Sequence, residues 1–381
     1  MMLELTDDQQ AIREAVAQFA SAEVSPRAAA IDREDAFPHD LVKKAAALDL
    51  CGIVVPEEYG GAGLDHIAFA VFVEEIAAHS GTLAVILDVH TSVGTEPILH
   101  FGSEEQKQRY LPRLARGEIL GAFALSEPDS GSDAASLTTS AVREGDQYVL
   151  NGTKTFITNV GVAGLYVVMA RSEDTPGARG ISAFLVEGTA PGLHCGSPMH
   201  KMGLRGSATG ELILEDVRVP AGAMLGNPGD GFKIAMSALD SGRIGISAQA
   251  VGLARGALDY AVAYAKGREQ FGQPIARFEG IQFSIADMAT AVDAARLVTW
   301  QAASACDRGK PFTQLASMAK LFATDTAMQV TTDALQILGG YGYITEYPLE
   351  RMMRDAKATQ IYEGTNQIQR IVIARGLGAR G

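Results

Sequence analysis

The residue pattern changes period twice along the chain, and that constrains the fold more than any single motif. From residue 6 to about 120 apolar side chains recur at helical spacing. From Gly121 to about Gly231 short alternating runs of Val, Thr, Ile and Gly take over, and from about Phe232 almost to the end the helical spacing returns. With no internal repeat, this order specifies an α+β protein: an N-terminal helical domain over 1–120, a middle antiparallel, β-barrel-like domain over 121–230, and a C-terminal four-helix bundle over 231–381. The 381 residues, 47% hydrophobic and 20% charged, supply ample core for that arrangement.

Thr6 and Gln9 make a capping box ahead of Ile12, Val16 and Phe19. Further helices are expected over Leu41–Leu50 and Ile67–Ala78, and from Ser103 to about Leu114, with Gly60–Gly63 as a loop. In the middle block Tyr148–Ile157 reads as a hairpin turning at Asn151-Gly152. Tyr166–Ala170, Ile181–Val186 and Gly210–Val217 read as strands. Ile234–Ala265, Ile281–Cys306, Thr313–Leu338 and Tyr347–Tyr362 read as the bundle helices.

A formal net charge of −13 repels a phosphate backbone and argues against a nucleic-acid partner. Cys51, Cys195 and Cys306 lack metal spacing, as do His39, His66, His79, His90, His100, His194 and His200, so no metal site is expected; the isolated thiols suit a reducing compartment. The acidic start Met1-Met2-Leu3-Glu4 carries no leader signature, and no apolar run reaches membrane-spanning length, since Glu74 and Glu75 interrupt the one after Ile67. A cytoplasmic protein is the expectation. No P-loop, HExxH or GxSxG is present, and the lone GxGxxG match, Gly376–Gly381, follows no strand.

Five constellations remain. Phe123–Asp133 is rich in hydroxyls and glycine, and could cradle a phosphate or heterocycle or be a plain surface loop. Phe156-Ile157-Thr158-Asn159 could flank a planar ring or simply end a strand. Asp240-Ser241-Gly242-Arg243 puts charges inside an apolar helix, where either a ligand or a helix–helix salt bridge would use them. Gln336–Tyr343 combines a helix C-cap with glycines that permit close backbone approach. Finally, Tyr362-Glu363-Gly364-Thr365 places one carboxylate in a tight loop, with Thr365 as N-cap of a last helix bearing Ile368, Ile371 and Val372. A carboxylate beside apolar neighbours can serve as a base, and a Glu in a loop can equally be solvated.

Together these segments resemble the acyl-CoA dehydrogenase family over essentially the whole chain. Ala124-Leu125-Ser126-Glu127 with Ser130-Gly131-Ser132-Asp133 fits one family signature. Gln336, Gly339-Gly340, Gly342-Tyr343, Glu346, Arg351 and Asp355 fit the other; Lys201–Ser207, Arg268–Gly272 and Ile361–Thr365 agree as well. The resemblance implies non-covalent FAD, a homotetramer built as a dimer of dimers, and electron-transferring flavoprotein as acceptor. It implies flavin contacts at Phe123, Leu125, Ser126, Ser132, Phe156, Ile157, Thr158, Thr365 and Gln367. Arg268, Phe271, Gln282, Gln336, Ile337, Gly339 and Gly340 would reach the FAD of a neighbouring subunit. Glu363 would take the α-proton of an acyl-CoA thioester as hydride leaves the β-carbon, giving the trans-2-enoyl-CoA. Ser132, Asp240, Arg243 and Gly364 would hold the CoA portion. Gly242 stands where some branches carry the base instead. Gln249 and Thr359 match residues that narrow the acyl pocket in short-chain (butyryl-type) members, which implies a short straight acyl group, with short branched acyl groups as the alternative. A flavin monooxygenase on the same fold would usually lack the Glu363 equivalent, and an oxidase branch would differ only in solvent access.

Overall fold

The computed structural model describes residues 4–379. Met1-Met2-Leu3, and the end of Gly376–Gly381, lie outside the described residues. Seven helices come first: α1 (Asp7–Phe19), α2 (Ala28–Glu34), α3 (His39–Ala46), α4 (His66–Ala77), α5 (Gly81–Val89), α6 (Glu96–Phe101) and α7 (Glu104–Ala115). The capping box at Thr6 forms, with Gln9 N donating to Thr6 Oγ1 and Thr6 N to Gln9 Oε1. The helix expected to Leu50 ends at Ala46, where Asp49 turns left-handed at φ 59°.

The middle block holds β1 (Gly121–Ala124), β2 (Ser140–Glu144), β3 (Gln147–Thr158), β4 (Leu165–Arg171), β5 (Ile181–Glu187), β6 (Leu193–Cys195), β7 (Thr209–Pro220) and β8 (Met224–Leu225). They pair in the order β6-β7-β3-β2-β4-β5-β8, with β1 added alongside β4. Two expectations fail here. The sheet is not purely antiparallel, because β1 runs parallel to β4. Nor is Asn151-Gly152 a turn: β3 runs straight through it, and the register slips there as a bulge against β7. The reason is steric and polar. Asn151 exchanges hydrogen bonds with Asp216 across the strands, and Thr139 lies against Gly152 so closely that a Cβ would sit 2.5 Å from its hydroxyl. The real hairpin joins β2 to β3 at Gly145, φ 65°.

The last block comprises α8 (Gly231–Gly267), the short strands β9 (Glu269–Gln270) and β10 (Gln273–Pro274), α9 (Glu279–Asp307), α10 (Thr313–Leu338), α11 (Leu349–Thr359) and α12 (Asn366–Gly376). The expected bundle forms, with α10 on the residues read from sequence and the fourth helix trimmed to Leu349–Thr359. α8 is its axis, packing on α10, α9 and also α4. The glutamates that interrupt the apolar run of α4 are buried inside it: Arg296 pairs with Glu74 at 3.0 Å and Arg255 with Glu75 at 2.7 Å. Those pairs bolt the N-terminal helices to the bundle. In α12 the inward face is Asn366 and Gln369, whereas Ile371 is exposed. A polar inner face suits what it meets, the carbonyls of residues 363–364 and the ammonium of Lys320. Among the described residues no helix is long and apolar enough to cross a membrane, and no cluster of His, Cys, Asp or Glu could hold a metal.

Candidate active site

Glu363 lies in the loop between α11 and α12, and three local choices fix it there. α11 stops at Thr359, Gly364 turns left-handed at φ 89°, and Thr365 Oγ1 accepts from Ile368 N to start α12. Glu363 is itself left-handed at φ 53°, a conformation that costs a non-glycine residue about 1–2 kcal/mol. Main-chain grips offset that cost. The Glu363 carbonyl accepts from Gln369 Nε2 and Arg243 Nε, and the Gly364 carbonyl accepts from Lys320 Nζ at 2.9 Å.

Because the carbonyls hold the loop, the carboxylate is free. Both its oxygens are shielded from solvent and have no hydrogen-bond partner among the described residues. Burial pushes the Glu363 carboxyl up to about 8, against the downward pull of Arg243 and Lys320. Lys320, 0% exposed, is itself brought down to about 7 by burial. The carboxylate packs on bare backbone at Gly242, where a Cβ would lie 2.2 Å from Oε2. Gly242→Ala must therefore displace the carboxylate. On the base role that the resemblance implies for Glu363, we expect it to lower the rate of flavin reduction about 100-fold, as misplacement by about 1 Å does, with little loss of thermal stability; stopped-flow reduction and a melting curve read both.

Around Glu363 the chain gathers several expected residues. The ion pair at Asp240 and Arg243 exists at 2.7 Å, but within α8 (i, i+3) rather than between helices. The link to another helix is instead the Thr313 hydroxyl, which donates to Asp240. Gln249, one and a half turns beyond Arg243 on α8, is 0% exposed; it donates to the Gly81 carbonyl at 2.8 Å and accepts from the Tyr362 hydroxyl. Thr359 is also fully buried. Sequence reasoning missed Asp88, a buried acid whose Oδ1 lies against Gly245. The signal was there: one carboxylate interrupting the apolar run Leu83–Val89.

On the β-domain side, Phe156 is 69% exposed and left-handed at φ 57°, re-aimed by the register shift between Lys154 and Ile157. Ile157 is buried in the β-domain core, Phe123 and Thr158 are half-buried, and Ser132 is exposed. Beneath this rim Lys154 Nζ donates to the Leu125 carbonyl at 3.1 Å and to Glu127 Oε1 at 2.8 Å, and Thr155 N donates to the Ser126 carbonyl. Glu127 accepts further from Thr138 N and Thr139 N. A rigid polar frame thus backs the Leu125-Ser126 segment.

The remaining expected residues lie elsewhere. Arg268, Ile337, Gly339 and Gly340 line a cavity of about 420 Å³ at the far end of α8, with the Arg268 guanidinium over the Tyr341 ring. Phe271 beside it is 93% exposed, and Gln282 and Gln336 are exposed too; Gln367, also exposed, lies instead in the first turn of α12, directly after the Glu363 loop. From Gly242 to Arg268 the helix advances by roughly 40 Å, so one protomer does not bring this patch to Glu363.

Three family models match consecutive parts of the chain: Acyl-CoA dehydrogenase, N-terminal domain over 6–118, middle domain over 122–217 and C-terminal domain over 229–378. The human "Short-chain specific acyl-CoA dehydrogenase, mitochondrial" is 50% identical over 98% of this chain and 90% of its own. Butyryl-CoA dehydrogenase from Megasphaera elsdenii is similar with a TM-score of 0.98 and 44% identity, over 99% of this chain and 100% of its own. A chain in the solved structure described as Electron transferring flavoprotein of Acidaminococcus fermentans is similar with a TM-score of 0.98 and 49% identity, over 99% of both chains.

Proposed function

Because this chain belongs to the acyl-CoA dehydrogenase family, we propose that Glu363 is the base with which it removes the α-proton of its substrate. The protein is an FAD-dependent oxidoreductase that converts a short-chain acyl-CoA to the 2-enoyl-CoA, with electron-transferring flavoprotein as acceptor, and it works as a homotetramer. The observation that carries the residue assignment is the pair of shielded, unpartnered carboxylate oxygens on Glu363 beside Gly242.

The residues present fit the cofactor. The outward ring of Phe156, backed by the fixed Leu125-Ser126 segment, suits a flat heterocycle; Arg268 beside the bare backbone of Gly339 and Gly340 suits a pyrophosphate. Phe123, Leu125, Ser126, Ser132, Phe156, Ile157, Thr158, Thr365 and Gln367 would hold it from one subunit, and Arg268, Phe271, Gln282, Gln336, Ile337, Gly339 and Gly340 from another. When bound, FAD supplies the acceptor for the hydride that leaves the β-carbon. The chain's own part is the proton. An α-hydrogen of a thioester is weakly acidic, so the base must be desolvated and the developing enolate oxygen must meet a donor. Glu363 supplies the first, and its own backbone N–H, which has no partner among the described residues, would supply the second. Arg243, Asp240, Ser132 and Gly364 would hold the CoA portion, and Gln249 and Thr359 would close the acyl pocket against long chains.

The three free cysteines suit a reducing compartment, and we assign the protein to the cytoplasm. Anaerobic butyryl-CoA is expected to bleach the flavin of the purified yellow protein. Since only ionised Glu363 accepts a proton and its carboxyl sits at about 8, the reduction rate should rise about tenfold between pH 7 and pH 9 and then level. A rate independent of pH across that window would remove the base from its assigned position.

A further inference from the structure

We propose that Asp88 is a specificity-determining residue of the acyl pocket, and that the acyl group taken best carries a hydroxyl on its fourth carbon. The inference rests on the assignment of Glu363 as base. Asp88 is the penultimate residue of α5 and is 0% exposed. Its Oδ1 accepts from the Ser92 hydroxyl at 3.0 Å, and its Oδ2 has no partner among the described residues. A Cβ on Gly245 would lie 2.0 Å from Asp88 Oδ1, just as one on Gly242 would lie 2.2 Å from Glu363 Oε2. The two carboxyls therefore sit one turn apart along one stripe of α8, separated by about 4.5 Å of helix rise. Gln249 follows a turn later, bonded to the Tyr362 hydroxyl.

An acyl chain with its α-carbon at Glu363 and its tail toward Gln249 must pass Asp88. About 4.5 Å is the span of three to four bonds of an extended chain, since the three backbone bonds of one residue cover roughly 3.3–3.6 Å. Three bonds beyond the α-carbon lies a substituent on the fourth carbon. The wall it meets is polar: Asp88, the Tyr362 hydroxyl and Gln249, where an alkyl tail calls for an apolar lining.

Charge decides which polar group fits. Glu363 faces the cations Arg243 and Lys320, whereas Asp88 faces the acids Glu363 and Glu96, and burial with those charges pushes its carboxyl well up. Glu363 is thus the carboxyl of the pair that ionises, and Asp88 keeps its proton. A neutral carboxyl both donates and accepts, which is what a hydroxyl requires. A plain alkyl end leaves Oδ2 buried and unpaired, and sites built around a substrate hydroxyl discriminate strongly against analogues without it. The hydroxyl takes no part in the chemistry; the same α- and β-C–H bonds break as with butyryl-CoA.

The test compares 4-hydroxybutyryl-CoA with butyryl-CoA on the FAD-loaded tetramer. We expect kcat/KM at least tenfold higher for the hydroxylated substrate. Asp88→Ala should reverse the order and Asp88→Asn should keep it. Equilibrium binding of the two thioesters to the Glu363→Gln protein, which needs no turnover, should follow the same order. Butyryl-CoA used as well or better by the unmodified enzyme overturns the inference without any Asp88 variant, as does a ratio unmoved by Asp88→Ala. Flavin left oxidised by both substrates overturns the dehydrogenase reading, and this inference with it.

Discussion

Glu363→Gln is expected to cut the rate of flavin reduction by acyl-CoA about 10⁴-fold, the upper end of what a positioned base contributes. The amide has the shape of the carboxylate but no basic oxygen. The substitution should leave the loop in place, because the grips from Lys320, Gln369 and Arg243 fall on the carbonyls of residues 363 and 364 and not on the side chain. The variant should therefore purify yellow and still bind acyl-CoA, seen as a perturbed flavin spectrum without bleaching. Anaerobic stopped-flow measures the loss; reduction at the unmodified rate would show that another group takes the proton.

Lys154→Met should cost stability rather than chemistry, about 3–5 kcal/mol, the usual cost of stranding one member of a buried ion pair. Lys154 is 0% and Glu127 5% exposed. Burial lowers the Lys154 ammonium to about 8, and Lys154 draws the Glu127 carboxyl down to about 2 against the upward push of burial, so both are charged at neutral pH. Glu127→Gln strands the partner and should cost a similar amount. The double variant should regain much of the loss, since neither charge is then left alone. Urea unfolding of the FAD-loaded protein measures all three, and singles within about 1 kcal/mol of the parent would mean the pair is no anchor. Flavin retention should fall with stability, because Lys154 also fixes the Leu125 carbonyl.

What could be read from sequence was local. Thr313–Leu338, the capping box at Thr6 and the cap at Thr365 all follow from side chains within four residues of one another. The loop position of Glu363 followed in the same way, from Gly364 and Thr365. The misreadings in the sheet share one cause, a partner distant in the chain. Asn151-Gly152 has the chemistry of a tight turn, yet Asp216 and Thr139 hold it in a continuous strand. The parallel pairing of β1 with β4 spans some forty residues and leaves no mark on either strand's alternation. The spacing of Ile368, Ile371 and Val372 marks α12 as a helix but not which face it buries; that face is Asn366 and Gln369, because its neighbours are carbonyls and an ammonium. Asp88 matters only once folding stacks it on Gly245, a neighbour 157 positions away that no local pattern announces.

The length of α8 has one more consequence. Glu363 rests on Gly242, in the first third of the helix, while Arg268 and the cavity beside Gly339 lie at its far end, too far apart to serve one cofactor within one protomer. On the proposed contacts, each flavin is a shared possession of two chains. Loading the cofactor and assembling the oligomer are then a single linked equilibrium, in which each promotes the other by the same free energy. Dilution should release flavin, added FAD should hold subunits together, and a lone protomer with a faultless base would have nothing to reduce.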